Sequence, residues 1–86
     1  MDQASITYYV FKLMDRDLTE KKIDMAMVKI IGKDWRKIKV ETWIKRLKDK
    51  GYISEESSEL TVDDLEALIM GSLKFDLIMK NDYPNH

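Results

Sequence analysis

The segment from residue 19 to residue 32 constrains the fold of this chain more than any other feature. Thr19 can cap a helix at its start, Glu20 suits the positive pole of the helix dipole, and Gly32 suits a left-handed helix end. Between them lies one continuous apolar face at helical spacing, formed by Ile23, Ala26, Met27, Ile30 and Ile31. The segment therefore predicts an amphipathic helix that packs against a core.

Two further segments carry apolar stripes at helical spacing. In residues 5–15, where Ser5 is a candidate N-cap, the stripe consists of Ile6, Tyr9, Val10, Leu13 and Met14. In residues 38–50, before Gly51, it consists of Val40, Trp43, Ile44 and Leu47. Because Tyr8 and Phe11 lie off the first stripe, we expect a second element to cover them.

The chain after Gly51 has a different pattern. Residues 52–54 and 60–62 flank the polar segment EESSE, which predicts a short two-stranded β ribbon. Thr61 then caps a fourth helix that we expect to end at Gly71. Residues 73–80 alternate apolar and polar side chains with one interruption, which favours a strand over the alternative, a longer helix.

Length and composition favour one folded domain. With 86 residues, 44% of them apolar and 36% charged, we expect a single domain over residues 1–80 and a flexible tail over residues 81–86. The absence of cysteine excludes disulfides and thiolate metal sites. Since no apolar run approaches about 18 residues and no signal-peptide pattern is present, we expect a cytoplasmic protein without membrane contact.

The net charge of −1 conceals a strong segregation of charge along the chain. Residues 29–50 contain nine basic and three acidic side chains, whereas residues 54–68 contain six acidic and no basic ones. The basic stretch suits a nucleic acid, a protein partner or a merely solvated surface. The acidic stretch suits a polar turn followed by a helix start, a docking surface for a basic protein, or a surface that mimics DNA.

The order of helices, glycine, short strand, turn and strand resembles the winged helix-turn-helix superfamily, particularly regulators of the MarR and PadR types. The matching stretches are LTEKKIDMAMVKIIG, VETWIKRLKDKGYI, and the Leu-Thr pair at residues 60 and 61. The resemblance implies a mainly α, α+β fold. It would contain a three-helix core, a short β wing and a fourth helix, to which the alternating pattern of residues 73–80 adds the expected C-terminal strand.

The resemblance also implies a function in DNA binding and transcription regulation. In this family the third helix lies in the major groove. In this chain the third helix would bring to base edges or phosphates the side chains of Lys39, Thr42, Lys45 and Arg46. The adjoining DNA backbone would be contacted by Lys33, Arg36 and Lys37. The apolar stripe of the third helix agrees with this orientation, because it turns Lys39, Thr42 and Arg46 outward.

Two departures from the family favour an alternative function. The connection between the second and third helices is longer than the family's compact turn, and the wing tip at residues 55–59 is acidic where a DNA-binding wing is commonly basic. The alternative is a winged-helix adaptor, such as a phage-type factor, that binds a protein through the acidic wing. Of the two tryptophans, Trp43 is expected in the core, whereas Trp35 either plugs the base of the wing or joins a binding surface.

Catalysis is not expected. The single histidine is the last residue, His86, and each glycine stands alone at a helix end instead of forming a phosphate loop. The carboxylates Asp63 and Asp64 already suit a helix start, so we expect no cofactor and no metal. Apolar side chains that a small core cannot accommodate favour a homodimer, namely Tyr8, Phe11, Phe75, Leu77, Ile78 and Met79.

Overall fold

A computed structural model describes the backbone of residues 6–82 and the side chains of residues 6–74. Four helices follow one another: α1 (Ile6–Met14), α2 (Glu20–Ile30), α3 (Val40–Asp49) and α4 (Val62–Asp82). The chain is therefore mainly α, as predicted. None of the helices in this part of the chain is both long enough and apolar enough to cross a membrane.

Two predicted caps begin their helices with side-chain hydrogen bonds. The backbone N–H of Lys22 donates to Thr19 Oγ1 at 3.2 Å, which confirms the cap of α2. At α4, Thr61 Oγ1 accepts from the N–H of Asp64 at 3.0 Å, and Asp64 Oδ2 accepts from the N–H of Thr61 at 3.3 Å. This reciprocal pair satisfies two donors that helix geometry leaves without partners. Ser5, the cap predicted for α1, lies outside the described residues.

The helix α3 ends as the sequence predicts. Gly51 has a φ of +81°, its N–H donates to the Lys48 carbonyl at 2.9 Å, and the N–H of Tyr52 donates to the Leu47 carbonyl at 2.8 Å. These two bonds define a Schellman motif, which favours glycine because the left-handed conformation crowds a Cβ.

The helix α1 ends in the same motif without a glycine. The N–H of Asp17 donates to the Met14 carbonyl at 3.1 Å, and the N–H of Leu18 donates to the Leu13 carbonyl at 3.4 Å. Asp17 adopts a φ of +70°, a conformation in which aspartate is tolerated better than most residues but less well than glycine. The positions of the glycines therefore do not predict the end of α1, where Asp17 turns the chain toward α2.

The core gathers one face from each helix. The predicted stripe of α2 is fully buried, and it packs with Leu65 and Ile69 of α4. Trp43 is 0% exposed, which confirms its predicted place in the core, and its ring centroid lies 5.6 Å from that of Tyr9 and 6.0 Å from that of Trp35. An aromatic cluster thus joins α1, α3 and the α2–α3 connection.

The outer side of α1 is more apolar than predicted. Met14, assigned to the inward stripe, is 46% exposed, and the expected cover over the other side is not found in the described part of the chain, where Phe11 is 69% exposed. Only Tyr9 and Leu13 of α1 are buried. These two residues carry the contacts of α1 with the core, in which α1 packs against α2 and α4 and Tyr9 packs against Trp43 of α3.

The predicted β wing is not formed. Residues 51–61 contain turns and bends, and no residue of 6–82 lies in a β-strand. The segment is instead fastened by a side chain, because the Tyr9 hydroxyl donates a hydrogen bond to the Leu60 carbonyl. That bond, together with the burial of Leu60, holds the C-terminal end of the segment 51–61 against α1.

The predicted C-terminal strand is wrong. Gly71 does not have a positive φ and does not end α4, which runs on to Asp82. Leu65 and Ile69, four residues apart, are buried, and Leu73 continues the same face against the core. This helical period therefore prevails over the period of two read from residues 73–80. Residues 81 and 82 of the predicted tail belong to α4, and residues 83–86 lie outside the described part.

Candidate nucleic-acid interface

The connection between α2 and α3 is built on Trp35. The side chain of Trp35 is 1% exposed, and its Nε1 donates a hydrogen bond to Asp24 Oδ1 at 2.9 Å. The backbone carbonyl of Trp35 accepts a bond from Trp43 Nε1 at 2.9 Å. Trp35 is therefore buried in the core and is not part of a binding surface, but the β wing whose base it was expected to plug is not formed in the described residues. The basic residues on either side of Trp35 are thereby held at the surface.

Arg36 is partly engaged by the protein itself. Its guanidinium lies over the Trp35 ring, with Cζ 4.3 Å from the centroid, a cation–π geometry. Its Nη2 also lies 3.9 Å from Asp24 Oδ1 and 4.0 Å from Glu20 Oε2. The side chain of Arg36 is still 47% exposed, so it can contact a partner. Part of its positive charge, however, is already compensated by Asp24 and Glu20.

Arg46 is held more firmly than Arg36. Its Nη1 and Nη2 donate to Asp34 Oδ1 and Oδ2 at 2.7 and 3.1 Å, and Nη1 also reaches the Ile31 carbonyl at 3.4 Å. These bonds lower the pKa of Asp34, with the hydrogen bond from Arg46 as the largest cause. A Cβ added at Gly32 would come within 3.0 Å of both Arg46 Nη1 and Asp34 Oδ1. Arg46 is therefore fixed beside the end of α2.

Lys50 repeats this arrangement one helical turn later. Its Nζ donates to the Ile30 carbonyl at 3.2 Å and to the Lys29 carbonyl at 3.5 Å. Together, Lys50 and Arg46 place two cations from α3 on the last carbonyls of α2, the negative pole of that helix. This role was not predicted from the sequence, although the spacing of four residues between Arg46 and Lys50 is a signal for it.

The remaining candidates divide by exposure. Thr42 is half-buried, whereas four lysines are exposed and have no ion pair within 4.0 Å in the described part of the chain: Lys33, Lys37, Lys39 and Lys45. Lys39 is the N-cap residue of α3, and no side chain caps this end of the helix. Two of these ammonium groups, those of Lys37 and Lys39, thus lie at the positive pole of α3, whereas Lys45 lies farther along the helix.

The outward side of α3 carries both signs of charge. Trp43 and Leu47 point into the core, so that helix geometry turns the opposite side to solvent. The exposed residues there are Glu41, Lys45 and Asp49, while Lys48 is half-buried. The excess of positive charge therefore lies before α3 and at its start, and not along its length.

The acidic segment comes close to the start of α3. A groove of about 610 Å³ lies between the first turn of α3 and residues 58–60, and Lys37, Lys39, Glu41 and Glu59 all line it. Glu55 and Glu56 are exposed in the preceding turn. A polyanion that approaches the lysines would therefore meet carboxylates at the edge of the same groove.

The acidic residues of α4 are occupied elsewhere. The Arg16 guanidinium donates to Asp63 and, at 2.7 Å, to Glu66, and these bonds raise the pKa of Arg16 above its ordinary value, Asp63 contributing most. Among the described residues, no three histidines or carboxylates are grouped so that they can hold a metal ion. Comparisons with protein families, curated proteins and solved structures give no significant match.

Proposed function

We propose that this chain is a small DNA-binding transcription regulator of the winged helix-turn-helix type, with the segment 51–61 in place of a paired wing. The observation that carries the proposal is the set of exposed lysines before and along α3, of which Lys37 and Lys39 lie at its uncapped start. Ammonium groups and a helix N-terminus both favour phosphate oxygens. The phosphates of the DNA backbone are contacted by Lys33, Lys37 and Lys39. The side chains of Lys45 and Thr42 reach into the major groove.

Arg46 and Arg36 take different parts in this proposal. Arg46 positions α3 against α2 by binding Asp34, and Arg36 contributes a partly compensated charge at the edge of the interface. Because affinity in such an interface comes mostly from phosphate contacts, it depends steeply on salt. Three lysine–phosphate contacts, from Lys33, Lys37 and Lys39, give a slope of log affinity against log salt of about −2.7.

The test is fluorescence anisotropy of a labelled random duplex, titrated with the protein at several salt concentrations. We expect binding in dilute buffer that weakens with the slope given above. Replacement of Lys37 and Lys39 by alanine should weaken binding and flatten the slope. Replacement of Lys21 and Lys22, exposed on α2, serves as the matched control. No binding in dilute buffer, or equal losses in both double variants, contradicts the proposal.

A protein-binding adaptor is the second candidate function. It is favoured by the mixed charges on the outward side of α3 and by the exposed carboxylates Glu55 and Glu56, which precede the groove-lining residues 58–60 in the chain. An adaptor shows negligible duplex binding even in dilute buffer. Replacement of Glu55 and Glu56 by lysine also separates the two functions, because it should strengthen duplex binding by a regulator and abolish partner binding by an adaptor.

The proposed regulator acts as a homodimer. The support for this comes from the outer side of α1, where Phe11 and Met14 are exposed. The side chains of residues 75–79, which also favoured a dimer, lie outside those that the structure describes. Light scattering over a range of concentrations tests this part of the proposal. Phe11→Glu should produce a monomer with an unchanged circular dichroism spectrum, and a wild-type monomer at all concentrations contradicts it.

A further inference from the structure

A second groove lies away from the candidate DNA interface. It has a volume of about 990 Å³ and runs between the α1–α2 connection, α2 and the middle of α4. Its apolar lining includes Leu18, Met25, Met70 and Leu73. The two methionines are 48% and 51% exposed, so that apolar surface remains open to solvent. None of the lysines proposed to contact DNA lines this groove.

The charges at the rim of this groove are mostly positive. Lys21, Lys22 and Lys74 line it and are exposed, and they have no ion pair within 4.0 Å in the described part of the chain. Two carboxylates, those of Asp17 and Glu66, also line the groove, and that of Glu66 is already bonded to Arg16. An apolar floor with an excess of positive charge at its rim is complementary to an apolar stripe flanked by carboxylates.

We propose that this groove binds an amphipathic helix of a partner protein, whose aliphatic stripe is flanked by aspartate or glutamate. The helices α2 and α4 form its walls. A helix of the partner protein packs into such a groove and inserts anchor side chains at helical spacing. Recognition by strand addition is not available, since residues 6–82 contain no strand edge. Flexible methionine side chains suit a surface that adapts to an inserted aliphatic group.

Gly71 is a position at which a substitution can block the groove. It lies on the lining within α4, and a Cβ added to it would meet no atom within 4 Å. A larger side chain at this position therefore enters the groove without displacing the protein core. Since glycine is a poor residue inside a helix, leucine or alanine at position 71 also favours the helical conformation of α4. A block of the groove is thus separable from damage to the fold.

The first experiment uses a synthetic helical peptide of about 16 residues with leucine at positions i, i+3, i+4 and i+7 and flanking glutamates. The protein carries ¹³C in its methionine methyl groups and is titrated with the peptide by NMR. The proposal predicts shifts of the Met25 and Met70 resonances, while Met14, on the outer side of α1, stays in place. A peptide with lysines in place of the glutamates should not bind.

Variants make the assignment specific. Gly71→Leu should weaken peptide binding by at least about tenfold, the loss expected when one central anchor is excluded, without lowering the melting temperature. Gly71→Ala is the matched control and should retain most of the affinity. Replacing Lys21 and Lys22 by glutamate should reverse the preference toward the lysine-flanked peptide. Lys45→Glu, on α3, should impair duplex DNA binding and leave peptide binding intact, which separates this groove from the proposed regulator function.

Three results would overturn the proposal. The first is an absence of Met25 and Met70 shifts at saturating peptide concentrations, and the second is equal affinity for the two peptides. The third is a change of the Met25 and Met70 resonances with protein concentration alone, which would assign the groove to a second copy of this chain.

Discussion

Arg46 and Asp34 are joined by two parallel hydrogen bonds, of 2.7 and 3.1 Å, that tie the middle of α3 to the turn after α2. Bidentate guanidinium–carboxylate pairs of this kind fix both distance and orientation. The neighbouring cation Lys45 is exposed and makes no such pair among the described residues. Two adjacent basic residues of one helix thus have different tasks, and substitutions distinguish them.

The variants Arg46→Ala and Lys45→Ala should therefore differ in which property they change, thermal stability or DNA binding. Arg46→Ala should lower the melting temperature, because the end of α2 and Asp34 lose their shared donor. Lys45→Ala should leave the melting temperature unchanged and weaken duplex binding. Differential scanning calorimetry and anisotropy measure the two effects. Equal thermal stability of both variants would mean that the pair does not hold α3 in place.

The same pair makes stability depend on acidity. Hydrogen bonding by Arg46 lowers the pKa of Asp34 from its ordinary value of 3.8, so the folded state favours the ionised carboxylate more than the unfolded state does. Its stabilising contribution is therefore complete above pH 3.8 and is lost as the pH falls through the lowered folded-state value. Melting temperatures measured from about pH 6 to 2 should converge for wild type and Asp34→Asn. A constant difference between them would contradict this linkage.

Truncation of Trp43 should be the most damaging single change described here. The side chain is fully buried between Tyr9 and Trp35, and its Nε1 donates to the Trp35 carbonyl. Trp43→Ala should lower the free energy of unfolding by about 3–5 kcal/mol. Trp43→Phe should cost less, because it keeps most of the apolar volume and loses the hydrogen bond. Urea unfolding followed by circular dichroism measures both, and a wild-type midpoint for Trp43→Ala would contradict the burial.

The Tyr9 hydroxyl should give the protein a sensitivity to alkali. Burial, the largest cause, raises the pKa of Tyr9 above 10.0, so the folded state favours the neutral hydroxyl that donates to Leu60. The contribution is complete below pH 10.0 and is lost as the pH rises through the folded-state value. Tyr9→Phe should cost about 1–3 kcal/mol at neutral pH and lack this alkaline loss. Chemical unfolding at neutral and alkaline pH compares the two proteins, and parallel losses would contradict the role of this hydroxyl.

Glycine at position 17 should stabilise the protein. Asp17 adopts a φ of +70°, where its Cβ is crowded and glycine is not. Asp17→Gly should therefore raise the free energy of unfolding by about 0.5–1 kcal/mol. Asp15→Gly, two residues earlier and without a positive φ, is the matched control and should give no gain. A gain of equal size in both variants would assign the effect to the lost negative charge.

The sequence predicted the helical parts of the fold well because their signals are local. Apolar spacing gave the buried face of α2, and the caps at Thr19 and Thr61 depend only on residues within one turn. The same reasoning failed at residues 73–80, where a period of two competed with the continuing helix. Contact between α4 and the rest of the core decides that competition, and no local pattern records such contact.

The candidate interface was predicted less completely, since the destination of a long basic side chain depends on distant partners. Lys37, Lys39 and Lys45 lie at the surface as expected. Arg46 and Lys50 instead reach carbonyls 15 and 20 positions earlier in the chain, at Ile31 and Ile30. Outward orientation on a helical wheel describes only the Cα–Cβ direction, and it says nothing about where a flexible side chain ends.

The bond between Tyr9 and Leu60 fastens the downstream end of the connection between α3 and α4, while its upstream turn at residues 54–57 projects into solvent. Extra residues inserted between Glu55 and Glu56 would lengthen that turn without pulling on either helix. This position is therefore a suitable place for a fluorophore or an affinity tag when both termini must stay unaltered.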